Sequence, residues 1–178
     1  MGKNGYFITP KSLIRQIKGK GMYKVEENEV FVDEDDAPYL CWRLFQTDNF
    51  TWINSSDWDI RCSHIHDVGC KYHQVVRIKL TIQEMIEKGI LVSCEDGCYH
   101  CKDIPAEYLE VVSVSGNQIN NMFYRMLKAT GAPKYVQLAY RAGVALNLGW
   151  FFSGKQKIDL SKLYCEEWNC SGKRKKKC

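Results

Sequence analysis

Gly131-Ala132-Pro133 is the feature that most limits how this chain can fold. Three residues separate two stretches of helical periodicity. Before the break, Ile119, Phe123, Met126 and Leu127 recur on one face of a helix predicted from Asn117 to Thr130. After it, Val136, Ala139, Tyr140, Gly143, Val144 and Asn147 form the stripe of a second helix, predicted from Lys134 to Leu148. Glycine accepts the left-handed backbone that ends a helix, and proline cannot continue one. A connection this short sets the two helices antiparallel.

The N-terminal half has the shorter period of strands. Tyr6-Phe7-Ile8-Thr9 reads as a strand stopped by Pro10. Met22-Tyr23-Lys24-Val25 and Glu29-Val30-Phe31-Val32 are expected to form a hairpin around Glu26-Glu27-Asn28. Asp33-Glu34-Asp35-Asp36 reads as a solvated acidic turn, because a calcium loop needs alternating ligands and a glycine. Leu40 to Phe45 is a further strand. Trp58, Arg61, Ile65, Val68 and Tyr72 then predict a helix from Asp57 to Tyr72, with Asp57 as its cap. Val75 to Leu80 is strand-like, and Thr81-Ile82-Gln83-Glu84 fits a capping box opening a short helix that ends at Gly89. The expected fold is α+β: a small, mostly antiparallel sheet, a helix carrying a His-Asp pair, and a C-terminal antiparallel helical hairpin. Residues 1–152 form that domain and 153–178 a polar, basic tail.

A chain of 178 residues with 45% hydrophobic content can bury one full core. No apolar run approaches the roughly 20 residues that span a bilayer. The N-terminus has no apolar signal region, and Tyr6 stands where a myristoylation motif needs Ser or Thr. The expectation is therefore a cytoplasmic protein with no membrane partner. Its net charge is +4, but Lys173, Arg174, Lys175, Lys176 and Lys177 supply it, so the body is nearly neutral. Nucleic acid is an expected partner only through that tail. No aromatic residue interrupts the run, and Trp168 upstream reads as a packing residue.

Reactive side chains concentrate between Ser63 and His73, where three of the four histidines lie within eleven residues. Helical spacing divides them. His66 shares a face with Cys62 and Cys70, while His64 falls nearer Asp67 and Lys71. Asp67 can orient an imidazole or bind a metal directly, and His66 and Asp67 can equally tie the helix to the sheet by hydrogen bonds. His73, at the helix end, suits the negative end of the dipole. A second cluster, Cys94, Cys98, His100 and Cys101, offers four N or S donors for a structural zinc, or else reduced thiols in a hairpin around Gly97. The nine cysteines are an odd number, so complete internal pairing is impossible.

The order of these motifs resembles a phage and prophage family catalogued as domain of unknown function 1353. Phe45-Gln46-Thr47-Asp48-Asn49-Phe50-Thr51-Trp52-Ile53 is similar to its Gly-Phe-x-Thr-Asp-Gly-Ala-Ser-Ile-Pro segment. Ile65-His66-Asp67-Val68-Gly69-Cys70 is similar to its His-Asp-x-x-Tyr or His-Asp-x-x-Cys segment. Asn120-Asn121-Met122-Phe123, Gly131, Arg141, Gly143 and Trp150 resemble its later helices. The resemblance implies polar site positions at Asp48, His66 and Asp67, and residues 75–114 as a cysteine-rich insertion. It also implies a carboxylate where this chain has Asn120 or Asn121, and an amide cannot act as a general base. Two functions follow. One is an accessory protein that binds a host or virion protein. The other is a metal-dependent hydrolase of cell-wall peptide or phosphoester, with Asp48, His66 and Asp67 holding the ion and His64 or His73 relaying protons.

Overall fold

The computed structural model describes residues 5–11, 14–17, 22–47, 59–95, 97–145 and 156–169. The described residues form ten strands, in chain order β1 (Tyr6–Phe7), β2 (Ile14–Ile17), β3 (Met22–Val25), β4 (Glu29–Val32), β5 (Pro38–Cys41), β6 (Gln46–Thr47), β7 (Gln74–Ile78), β8 (Leu91–Ser93), β9 (Tyr99–Cys101) and β10 (Leu109–Ser113). The main sheet runs β1-β4-β5-β7-β10, a second runs β2-β3-β6, and β8 pairs with β9. All these pairings are antiparallel. Among the described residues, five α-helices, α1 (Arg61–Tyr72), α2 (Ile82–Glu87), α3 (Gly116–Ala129), α4 (Lys134–Ala145) and α5 (Glu166–Asn169), complete an α+β fold of the expected kind.

β-Branched and aromatic residues make the central strands. β4 is buried along its whole length, and Leu40, Val75, Val76 and Ile78 of its neighbours are buried with it. Helix α1 lies against this sheet through Ile65, Val68 and Tyr72, and α3 packs on α1. Gly69 allows that close packing, because a Cβ there would stand 2.3 Å from Cγ1 of the fully buried Ile119. Gly69→Ala is expected to cost about 1–3 kcal/mol by overpacking, read as a lower midpoint in urea denaturation. Helix α3 opens on a Ser115–Gln118 capping box and presents Ile119, Phe123, Met126 and Leu127 inward, as its periodicity predicts. Helix α4 returns along it, with Phe123 edge-on to Tyr140 at 5.4 Å between centroids. The predicted end of that second helix, 146–148, lies outside the described residues.

Three expectations are corrected. Residues 22–25 and 29–32 do not form a hairpin, because β3 pairs with β2 and β6 while β4 pairs with β1 and β5. The buried Asn28 explains the corner between them. Its side-chain carbonyl accepts from the Arg43 backbone N–H at 2.8 Å, and its amide donates to the Lys102 carbonyl at 2.8 Å. Second, α1 starts at Arg61 rather than Asp57, which lies outside the described residues; Asp59 instead accepts from the Arg61 backbone N–H at 3.1 Å. Within 75–114, β7 and β10 pair along their full lengths as strands of the main sheet. Between them lie α2, the β8–β9 hairpin, turned at Gly97 with φ +81°, and a short 3-10 turn at Ala106–Tyr108. Third, the domain continues past 152. Ile158 and Leu163 are buried, and Trp168 stacks on Tyr72 at 5.8 Å, the packing role expected of it. The basic run 173–177 lies outside the described residues.

The acidic turn is also more than a solvated loop. Asp33 is only 6% exposed and accepts from Arg125 of α3 at 2.8 Å. Burial holds its carboxyl above the usual range despite that partner.

Candidate functional site

Helix α1 presents its two central histidines to different surroundings. His64 faces inward and is fully buried. Its Nδ1 lies 2.9 and 3.0 Å from the two carboxylate oxygens of Glu29 on β4. Burial disfavours its charge, but the Glu29 carboxylate outweighs this and raises its pKa. The sequence expectation of His64 as a proton relay is therefore corrected: it is a core residue joining α1 to the sheet. Beside it, Arg61 clamps Asp59 and donates to the Thr9 carbonyl, with its guanidinium 4.3 Å above the Phe7 ring.

His66 faces α3, and its side chain is 14% exposed. Nε2 lies 3.0 Å from the side-chain oxygen of Asn120, and the ring stacks on Phe123 at 4.6 Å. An amide oxygen can only accept, so Nε2 carries a hydrogen in either charge state and Nδ1 is the nitrogen that gains or loses a proton. The Cys70 sulfur, one helical turn on, stands 3.8 Å from that Nδ1 and 3.6 Å from Nε2. Asp67 lies 3.9 Å from Nδ1 and accepts a hydrogen bond from the Thr47 hydroxyl of β6. Thiol, imidazole and amide thus form one chain of contacts, with a fixed carboxylate alongside.

Burial works against charge on His66, but hydrogen bonding to Asp67 and Cys70 and the charge of both outweigh it, holding its pKa up to about 10. A pKa raised above the ordinary 6.5 adds stability that is complete below 6.5 and lost as pH rises through about 10. The C2 proton of His66 is expected to keep its protonated NMR shift between about pH 6 and 8. A titration midpoint below neutrality would contradict this arrangement.

The remaining predicted residues do not join this group. Asp48 lies outside the described residues. Asn120, not Asn121, is the one that meets His66. His73 ends α1 in a left-handed turn, its backbone N–H bonded to the Gly69 carbonyl at 2.9 Å. In the cysteine-rich hairpin, His100 turns to Glu27 at 3.3 Å, and the Cys101 sulfur lies 3.4 Å from the Lys102 carbonyl. Burial and nearby Asp103 push the Cys101 thiol up to about 12. Cys94 and Cys98 flank the turn, joined by a backbone hydrogen bond of 2.9 Å. Among the described residues, no group of three or more His, Cys, Asp or Glu is gathered as metal ligands.

Sequence spacing already put Cys70 beside His66, but assigned it no role. Thr47 and Glu29 carried no local signal, since both reach α1 only through tertiary packing. Among the described residues, no helix is long and apolar enough to cross a membrane. In comparison with known proteins, the chain matches no family model, no curated protein and no solved structure.

Proposed function

We propose that this protein is a thiol-dependent acyl-transfer enzyme that hydrolyses an ester or amide at Cys70. One observation carries the reading: the Cys70 sulfur, the His66 ring and Asn120 lie within contact distance, the sulfur 3.8 Å from Nδ1 and 3.6 Å from Nε2 and the Asn120 oxygen 3.0 Å from Nε2. The Cys70 proton already rests on the His66 ring, as the raised pKa of that ring requires, and the S–C bond forms as the sulfur attacks the substrate carbonyl. The imidazolium then protonates the leaving group as its bond to carbon breaks. Water, deprotonated by His66, cleaves the thioester and restores the thiol. Asn120 fixes the ring and its tautomer, a role for which an amide suffices. The lost carboxylate implied by the family resemblance is therefore compatible with activity.

Hydrolysis of p-nitrophenyl acetate tests this. The expected result is a burst of nitrophenol close to one equivalent per chain, absent in Cys70→Ala and retained in Cys165→Ala. Equal turnover by Cys70→Ala would reject the reading.

A second reading, binding to a host or virion protein, has its support in Tyr135 and Leu138, which are 56% and 64% exposed on α4. For the metal-dependent hydrolase, the described residues bring together His66 and Asp67, 3.9 Å apart, and Asp48 lies outside them.

A further inference from the structure

The N-terminal half of α3 opens onto a cavity of about 280 Å³ bordered by Asn117, Asn120, Asn121, Phe123, Tyr124 and Arg141. Asn120 and Phe123 are also the two α3 side chains that touch His66, so the cavity adjoins the thiol site. Its lining has one cation, three amides and no acid. The surrounding sequence has the same bias. From 111 to 158 the chain contains no Asp or Glu, and α3 and α4 carry Arg125, Lys128, Lys134 and Arg141.

These cations differ in what engages them. Arg125 is held by Asp33 and Glu34. The Lys128 ammonium lies over the Tyr124 ring at 4.4 Å. Arg141 also rests against that ring, at 5.4 Å, but no carboxylate pairs with it among the described residues. An aromatic ring locates a guanidinium without using its N–H donors. Arg141 is therefore a located cation at the rim of a polar cavity, its fork engaged by no carboxylate among the described residues.

We infer that this cavity binds the free carboxylate of a peptide-like acyl donor, with Arg141 gripping the carboxylate and the asparagines meeting the adjoining amide groups. Naming that ligand a substrate rests on the acyl-transfer reading; the binding itself does not. A planar guanidinium matches a carboxylate in bidentate fashion. Asparagine supplies both donor and acceptor, as a peptide group requires. A phosphate dianion would gain from further cations, and the lining offers only one. The volume lies at the lower end of the range for small-molecule sites, so the bound group is small.

Binding is measured on full-length Cys70→Ala, where no turnover intervenes. The probes are N-acetyl-alanyl-alanine, its C-terminal amide and inorganic phosphate, read by NMR titration. The free acid is expected to bind about tenfold or more tightly than the amide. Adding Arg141→Gln is expected to abolish that preference, while Lys134→Gln leaves it unchanged. Equal binding of acid and amide, binding of neither, or an acid preference surviving Arg141→Gln would overturn the inference. Phosphate binding more tightly than the free acid would overturn it in favour of a phosphate site. An Arg141-dependent acid preference, with ester turnover unaffected by Cys70→Ala, would reject acyl transfer and leave the carboxylate site standing.

Discussion

His66→Ala is expected to lower ester turnover, measured per folded molecule, at least about a thousandfold. The ring is the only imidazole within reach of Cys70 among the described residues, so its removal leaves the thiol without a proton acceptor. His66 also stacks on Phe123 and carries a stabilising pKa shift, so the urea midpoint is expected to fall as well, and measuring turnover under conditions where the variant is fully folded separates the kinetic effect from the folding effect. Asn120→Ala is expected to cost less, about 10- to 100-fold, because the ring remains but loses the group that fixes its tautomer. Asn120→Asp should retain more activity than Asn120→Ala, since a carboxylate accepts the same Nε2 hydrogen. Steady-state kinetics on the three variants checks this order. Equal activity of all three would remove His66 and Asn120 from the mechanism.

Glu29→Gln is expected to destabilise the protein by about 3–5 kcal/mol, the usual cost of leaving one member of a buried ion pair without its counter-charge. Glu29 and His64 are both fully buried, and Nε2 of His64 has no hydrogen-bond partner among the described residues. The Glu29 carboxylate is therefore its main compensation for leaving water. The pH dependence has a definite sign. His64 has its pKa raised above the ordinary 6.5, so the pair's contribution is complete below 6.5 and is lost as pH rises through the folded-state value. In Glu29→Gln that dependence should disappear. Urea denaturation across the pH range measures both effects, and a loss under about 1 kcal/mol would contradict them. Replacing both residues with leucine should recover much of the stability, because well-packed apolar groups often match a buried pair. The consequence for function is geometric: with His64 anchored to β4, the opposite face of α1 presents His66 and Cys70 to α3.

The helices were largely legible in the sequence because their signals are local. The stripe of α3 and the Thr81–Glu84 capping box needed only neighbours a few residues away. Spacing along α1 likewise separated His64 from His66 and joined His66 to Cys70. The strand pairings were harder. Val25 and Glu29 lie four residues apart yet enter different sheets, because Asn28 satisfies backbone groups brought from Arg43 and Lys102. The partnership of β7 with β10 bridges an excursion of some thirty residues that has its own apolar pattern. The site followed the same division: the thiol and imidazole share one helix and were visible, whereas Asn120, Thr47 and Glu29 reach it from α3, β6 and β4. Arg141 was named only as part of the family resemblance and given no role, because a lone arginine on a predicted helix carries no signal until its neighbours are seen to lack acids.

The central claim is that Cys70 becomes acylated with help from His66. Intact-mass and peptide mass spectrometry after a rapid acid quench from p-nitrophenyl acetate tests it most directly. The account predicts one acetyl group per chain, mapped to Cys70, and none at that time point in His66→Ala. An unmodified Cys70, or acetyl groups spread over Cys94, Cys98 and Cys165 with Cys70 no faster than they, would contradict it.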